Sequence, residues 1–382
     1  MSRRLEALTS NYGKHNLVTL CEMRGAVTFL RNAWYVAMWG EDLRPGALER
    51  RRILGEPIVL FRSDDGGPVA LADACAHRFA PLHLGSVKPG GIVQCAYHGL
   101  QFDRTGACVR NPHGDGRVPF GARVKSYPVV ERHLALWIWM GHKPADPTEI
   151  PDFSHLDDAD PSWCSKRDWL EMQANYMLIA DNLLDLSHAS FLHDGILGSP
   201  ETVAAELEVE QQGTTLTVKR WMPNVPVPPM MELMFQTDDP AGRADMWMDI
   251  RWDKPGCFKN WNGVTSRGAP REAGSGIFGN HFLTPVDEFR TAYHFCAVRW
   301  NPRSEGAEMD AHVRNQLSEL RRHAFEFQDQ TVINAQQRNL RDGAVDTSRP
   351  ALFEIDVGPA RCGRIMDMLL EQERDSIRGC IP

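Results

Sequence analysis

Two short stretches constrain this chain more than any others. "CAHRFAPLHLG" begins at residue 75 and "CAYHGLQF" at residue 95, so Cys75-x-His77 is followed, 17 residues later, by Cys95-x-x-His98. Two thiolates and two imidazoles satisfy a tetrahedral zinc ion. Zinc sites of this composition usually pair Cys with Cys and His with His, whereas each loop here supplies one of each. That pattern suits a [2Fe–2S] cluster in which one iron takes both cysteines and the other both histidines. Neutral histidines in place of thiolates raise the potential of such a cluster and let it accept electrons from a reductase. Gly85, Gly90, Gly91 and Gly99 would let backbone amides approach the cluster sulfurs. His83 lies outside the spacing and reads as a structural histidine.

The sequence around these loops is all-β in texture. From Trp34 to Gly141, short apolar runs such as "EPIVLFR" and "LALWIWMG" are broken by glycine and proline. "HKPADPTEIPDF" (142–153) carries three prolines and reads as a linker. Beyond it, long alternating segments are flanked by helical ones, which predicts an antiparallel sheet with helices, an α+β unit. We expect a weakly ordered extension over 1–30, a cluster domain over 31–145 and a second domain over 146–382.

Composition excludes several classes. The net charge of −8 argues against a nucleic-acid or anionic-membrane partner. No run of about 18 apolar residues predicts a membrane span, and the amino terminus lacks an apolar signal core. Nine cysteines, an odd number scattered through the chain, argue for free or metal-bound thiols and a cytoplasmic location.

A second constellation lies in "DNLLDLSHASFLHD" (181–194), which holds Asp181, Asn182, Asp185, His188 and His193. On a helix, Asp181 and Asp185 fall near His188, where a carboxylate could accept its ring N–H and fix the tautomer. His193 would point away from His188 on an ideal helix, so the two converge only if the helix bends or ends. A 2-His-1-carboxylate set binds non-haem Fe(II) and leaves positions open for oxygen. "FEFQDQTVINAQQ" offers Asp329 or Glu326 as the carboxylate. Asp329 is favoured because Phe325, Val332 and Ile333 lie near it at helical spacing.

These residues together resemble the oxygenase (alpha) component of the Rieske non-haem iron oxygenases, from about Trp34 to Gln337. Within that family the chain is most similar to the single-subunit branch of vanillate O-demethylase and dicamba monooxygenase. "NAWYVA", "HGL" after the second cysteine, "DNLLDLSH" and "NHFLTP" carry the likeness. The resemblance implies a Rieske cluster on Cys75, His77, Cys95 and His98, and a helix-grip catalytic domain. It also implies a catalytic iron on His188, His193 and Asp329. Asp185 resembles the aspartate that links a cluster histidine of one subunit to an iron histidine of the next, in a head-to-tail homotrimer. Asn260 and His281 match positions that hold polar substrate groups. Ala76 and Ala96 depart from the family, where many members carry proline beside the ligands. The segment 266–276, "SRGAPREAGSG", has no counterpart and reads as a mobile loop over the substrate entrance.

The implied reaction is oxidation of an aromatic substrate with O2, foremost O-demethylation of a methoxyaromatic acid with release of formaldehyde. Hydroxylation, N-dealkylation and cis-dihydroxylation use the same iron machinery. A Rieske electron carrier with an inactive second domain is the rival from another class. No dinucleotide fingerprint is present, so NAD(P)H acts only through a separate ferredoxin or flavin-containing reductase.

Overall fold

The computed structural model describes residues 29–193, 198, 200–203, 205–343 and 350–378. Most of the expected extension over 1–30 lies outside these residues. Its last two, Phe29 and Leu30, are buried in the main core, so ordered packing begins before residue 31.

The first part of the chain forms short antiparallel strands, β1 (Trp34–Trp39), β2 (Glu49–Ile53), β3 (Glu56–Arg62) and β4 (Pro68–Ala72). Next come β5 (Ser86–Lys88), β6 (Ile92–Gln94), β7 (Gln101–Phe102) and β8 (Cys108–Arg110). The last three are β9 (Ser126–Tyr127), β10 (Val129–Arg132) and β11 (Ala135–Trp139). They pair as three sheets, ordered β1-β11-β10, β2-β3-β4-β9 and β5-β6-β7-β8. "WYVAMW" of β1 and "ALWIW" of β11 are buried at every position, because both of their faces are covered. The proline-rich stretch 142–153 is a packed strap rather than a free linker. Ile150 and Phe153 are buried, and the Trp34 indole donates to the Asp146 carbonyl at 2.8 Å.

The second part is one seven-stranded antiparallel sheet. Its strands are β12 (Asp168–Met172), β13 (Glu206–Gln212), β14 (Thr215–Pro226), β15 (Arg243–Asp253), β16 (Cys257–Thr265), β17 (Ser275–Asp287) and β18 (Arg290–Trp300). Strands β13 to β18 run as a meander, and β12 closes the edge beside β18. Five helices concern the site: α1 (Tyr176–Leu184), α2 (Ala189–Leu192), α3 (Ala307–His323), α4 (Gln330–Asp342) and α5 (Val357–Arg378). A π-helical turn, Ala324–Asp329, joins α3 to α4. The α+β expectation therefore matches the architecture.

Strand β17 separates two layers, because successive side chains point to opposite faces. Phe282 packs edge-on against Trp39 and Trp137, with ring centroids 5.8 and 5.3 Å away. Burying such a ring stabilises by about 1.5–3 kcal/mol relative to leaving it exposed. Thr284 donates to the Val36 carbonyl at 2.7 Å on the same side. His281, one residue before Phe282, instead meets Phe325 on the helix layer at 5.6 Å. The small-sheet unit and the π turn thus lie on opposite faces of one sheet.

Two remaining segments are tied down. The 266–276 stretch, expected to be a mobile loop, is a pinned corner. Arg271 pairs with Asp249 at 2.8 Å and stacks over Trp221, Trp247 and Trp261, while Asn301 donates to the Gly274 carbonyl at 2.6 Å. At the amino end of β1, the Arg31 and Asn32 backbone N–H groups both donate to the Glu373 carboxylate on α5, at 2.7 and 2.6 Å.

Candidate active site

The two cysteine–histidine loops fold alike. Cys75 N–H donates to the Ala80 carbonyl at 2.9 Å, and Phe79 N–H donates back to the Cys75 carbonyl at 2.8 Å. In the second loop Cys95 N–H donates to Leu100 at 2.8 Å, and Gly99 N–H to Cys95 at 3.0 Å. Each loop turns on a left-handed residue four positions after its cysteine, Phe79 at φ 58° and Gly99 at φ 71°. Glycine accepts that conformation without strain, whereas phenylalanine does not. Of the four glycines expected near the sulfurs, Gly99 alone belongs to a ligand loop. Gly90 and Gly91 turn the β5–β6 hairpin, and Gly85 lets the chain pass the Gln94 carbonyl, where a Cβ would clash.

The two loops bring like residues together. Cys75 and Cys95 are buried side by side, and the His77 and His98 rings lie 4.8 Å apart at the exposed tip. Burial pushes the Cys75 thiol up to about 11; the His77 amide opposes this and the Cys95 thiol adds to it. Two adjacent thiols in apolar surroundings are suited to ionise only on a metal. With thiols inside and imidazoles outside, the donor set fits an asymmetric two-iron cluster better than one tetrahedral ion. His83 stands apart, held at 2.6 Å by Asp73.

The second constellation also assembles. Helix α1 stops at Leu184, Asp185 leaves the helical conformation, and a tight 3-10 turn over Leu186–His188 leads into α2. One break falls before His188, and α2 itself ends at Leu192, so the helix ends between the two histidines and His193 stands at its non-helical cap. This brings the two imidazoles to 5.2 Å between centroids. Asp329, 3% exposed, closes the π turn opposite them. Its Oδ1 lies 3.2 Å from His193 Nε2 and 3.7 Å from His188 Nε2, and one donor atom from each residue falls within 4.8 Å of the others. A π turn inserted in an α-helix re-aims side chains and often marks a functional site. It also shifts the helical phase, which leaves Val332 half exposed where the sequence pattern placed it inside. Glu326, the other carboxylate considered, points outward to Arg322 at 2.6 Å.

The hydrogen bonds around these ligands differ from expectation. His188 Nδ1 bonds the backbone carbonyl of Asp185, not a carboxylate. The Asp185 carboxylate instead accepts from Ser187 N–H at 3.0 Å and Ser187 Oγ at 2.6 Å, and pairs with Arg220 at 3.0 Å. Asp181 stays on α1, where burial pushes its carboxyl up to about 7, with the Asp356 charge adding. His193 Nδ1 bonds Gln328 Oε1 at 2.7 Å, and Asn182 Nδ2 donates to Asp329 Oδ1 at 3.2 Å. Both imidazoles thus use Nδ1 for the protein and turn Nε2 toward Asp329, the orientation a metal ligand needs. Burial disfavours both imidazolium forms. For His193 the closer Asp329, with Gln328, outweighs it and the net shift is upward; for His188 burial prevails and the shift is downward.

Asn260 and His281 share the sheet face that meets the π turn. Asn260 pairs across the ladder with Gly279, and His281 follows two residues later on the same side. Both are buried, and Asn260 Oδ1 and His281 Nε2 have no hydrogen-bond partner among the described residues. His281 Nδ1 bonds the Tyr293 hydroxyl at 2.6 Å. Sequence reasoning missed Gln328, Tyr293 and Arg321, although Val313, Leu317 and Arg321 form a buried stripe with a cation in an apolar place.

Comparison with known proteins agrees with this geometry. The Rieske [2Fe-2S] domain profile matches residues 33–128, and the vanillate O-demethylase oxygenase C-terminal domain profile matches residues 172–372. The chain belongs to the Rieske non-haem iron oxygenases, as an oxygenase component, and is an oxidoreductase of that class. It is 36% identical to the dicamba O-demethylase oxygenase component of Stenotrophomonas maltophilia, over 91% of this chain and 99% of that one. It is 33% identical to the chloroacetanilide N-alkylformylase oxygenase component of Rhizorhabdus wittichii, over 90% of this chain and 97% of the relative. The crystal structure of dicamba monooxygenase bound to 3,6-dichlorosalicylic acid superposes with a TM-score of 0.83 at 36% identity, covering 91% and 99% of the two chains. Such components work in multicomponent systems, with a reductase or ferredoxin as electron source. Among the described residues, no helix is long and apolar enough to cross a membrane.

Proposed function

We propose that the chain is the terminal oxygenase of a Rieske monooxygenase that removes the methyl group of a methoxyaromatic acid as formaldehyde. The observation that carries this reading is the convergent triad His188, His193 and Asp329, with buried Asn260 and His281 on the sheet face that meets the same π turn and each keeping a polar atom without a partner among the described residues. Iron held by the triad would supply O2 activation, with electrons delivered through a Rieske cluster on Cys75, His77, Cys95 and His98. The protein's own task is placement. Gln328 and the Asp185 carbonyl fix the imidazole tautomers, and Asn182 orients the Asp329 carboxylate. Asn260 and His281 hold the polar end of the substrate, while Phe325 and Tyr293 wall its ring away from water. A methyl ether carbon that gains a hydroxyl is a hemiacetal, which collapses to phenol and formaldehyde. The balance consumes O2, two electrons and two protons and releases one water.

We divide the chain into a cluster domain over 31–145 and a catalytic domain over 146–382, and place it in the cytoplasm, where the described cysteines remain free. The sheet stands between the cluster unit and the iron triad of one chain. This favours a head-to-tail homotrimer in which Asp185 bridges to a cluster histidine of a neighbouring copy. Exposed Phe79 and Tyr97 beside the cluster tip, and exposed Phe191 on α2, suit such an interface.

The test uses iron-replete protein, chemically reduced without air, mixed with methoxylated benzoates and phenols and with N-methyl counterparts, then exposed to O2. Formaldehyde matched by a demethylated phenol is the expected result. Hydroxylated or dihydroxylated product without formaldehyde would overturn it, and an amine product would move the reaction to N-dealkylation. Iron content separates the electron-carrier rival, which holds about two irons per chain against about three for the oxygenase.

A further inference from the structure

Three arginines are deeply buried beneath or beside the large sheet, and two are neutralised. Arg299 meets Asp310 at 2.6 Å, and Arg220 meets Asp185 at 3.0 Å. Arg321, 6% exposed on the inner stripe of α3, is different. Its polar contact is a long bond to the Cys296 carbonyl at 3.3 Å, its guanidinium lies 5.1 Å from the Phe325 ring, and its Nε has no partner among the described residues. A buried cation without a carboxylate is costly, and a protein that keeps one has a use for the charge.

The surroundings show where that charge is directed. A Cβ built on Gly279 would stand 3.2 Å from Arg321 Nη1, 3.2 Å from His281 Nε2 and 3.3 Å from Asn260 Cβ. Gly279, lacking a side chain, therefore lets Arg321, His281 and Asn260 pack closely against one stretch of β17. The unpaired atoms of the group, Arg321 Nε, His281 Nε2 and Asn260 Oδ1, belong to those same three residues. When the Tyr293 hydroxyl donates to His281 Nδ1, His281 Nε2 carries the proton and is a free donor. The Asn260 amide can present its N–H2 edge by a flip. Two donors and a fixed positive charge then face one spot, with no acid among the described residues bonded to any of them.

The same helix links this spot to the triad. Arg321 and Asp329 are eight residues apart, about 12 Å along a helix axis. Buried Tyr293 lies within the field of both: burial holds its hydroxyl well above the usual range, Arg321 opposes that shift and Asp329 adds to it. Phe325 packs tilted on Tyr293 and edge-on against Phe295 in the interval, with centroids 5.4 and 4.8 Å away. An aromatic ring with an anionic substituent at one end and a reactive group at the other spans such an interval.

We propose that Arg321 is the charged anchor of the substrate pocket, and that it selects a carboxylate or sulfonate on the ring, with His281 and Asn260 as flanking polar contacts. The assignment rests on the oxygenase reading of this pocket, but binding tests it without turnover. Full-length, iron-replete protein is titrated calorimetrically with para- and meta-methoxybenzoate, the matching methoxybenzenesulfonates and the neutral methoxybenzamides. The wild type is expected to bind the anions at least about tenfold more tightly than the amides, and Arg321→Met to lose about 30-fold for the anions alone. Arg321→Lys should restore part of that preference. Carboxylate and sulfonate arms show which anion the pocket takes. A general loss of packing would weaken amide binding as well, so the anion-to-amide ratio separates anchoring from structure. If Arg321→Met does not fold, Gly279→Ala, whose Cβ crowds Arg321 and His281 and keeps the charge, is expected to lose the same preference. An unchanged anion-to-amide ratio in the folded variants, or no preference for anions in the wild type, overturns the assignment. Formaldehyde release does not enter: a preference for anions that depends on Arg321, without demethylation, would sink the reaction proposed above and leave the anchor standing.

Discussion

The two metal constellations are built from different lengths of chain. Cys75, His77, Cys95 and His98 come from two neighbouring loops, each closed by its own backbone hydrogen bonds, around a small core of their own. The iron triad needs a broken helix and a π turn brought together from far apart. Its supporting bonds, His193 to Gln328 and Asn182 to Asp329, span 135 and 147 residues. The cluster tip is also exposed, whereas His193 and Asp329 are buried. A local cage depends on turn geometry. A long-range cage depends on the packing of the whole sheet and its helices.

That contrast can be broken most decisively at the ligands. Asp329→Ala should abolish turnover and lower iron from about three to about two per chain, while the visible spectrum of the cluster stays unchanged. Cys95→Ser should do the reverse, bleaching the cluster and sparing the mononuclear iron. If either variant lost both metals, the two cages would not be independent. Gln328→Leu removes a supporting bond rather than a ligand. It should weaken iron binding about 10–100-fold, read by chelator competition, with no change at the cluster. The smallest effect is expected at Phe79, which is 78% exposed and held in a left-handed conformation. Phe79→Gly relieves that strain at some cost in chain entropy, for a net gain of about 0.5–1 kcal/mol in thermal unfolding. A loss there would mean that the ring packs on something this single chain does not provide.

The same contrast explains what the sequence made legible. The two cysteine–histidine loops could be picked out from spacing alone because neighbouring loops carry their geometry in local order. His188 and His193 were readable as a pair, and the helix does end between them, at Leu192; the additional break at Asp185 was not legible from periodicity. Asp329 was singled out through an apolar stripe that the π turn then shifted, so Val332 was misplaced while Asp329 is buried close to both histidines. The carboxylate bond assigned to His188 failed because a backbone carbonyl reached the ring first, and carbonyls carry no sequence signal. The 266–276 segment looked mobile because it has no counterpart in the family it resembles, yet three tryptophans from different strands hold Arg271. Arg321 was visible as a cation on a buried stripe, but its lack of a counter-ion emerges only when β17 and α3 are seen together.

The Glu373 buckle sets an order of events during synthesis. Arg31 N–H lies 342 residues from the carboxylate that receives it. At roughly 5–20 residues per second, a ribosome leaves that amide waiting about 17–70 s for its partner. The cluster loops, complete within the first third of the chain, leave the ribosome long before the strand beside them is locked at its amino end. Metal delivery to the nascent protein therefore has an interval in which the cage is finished and the frame around it is still open.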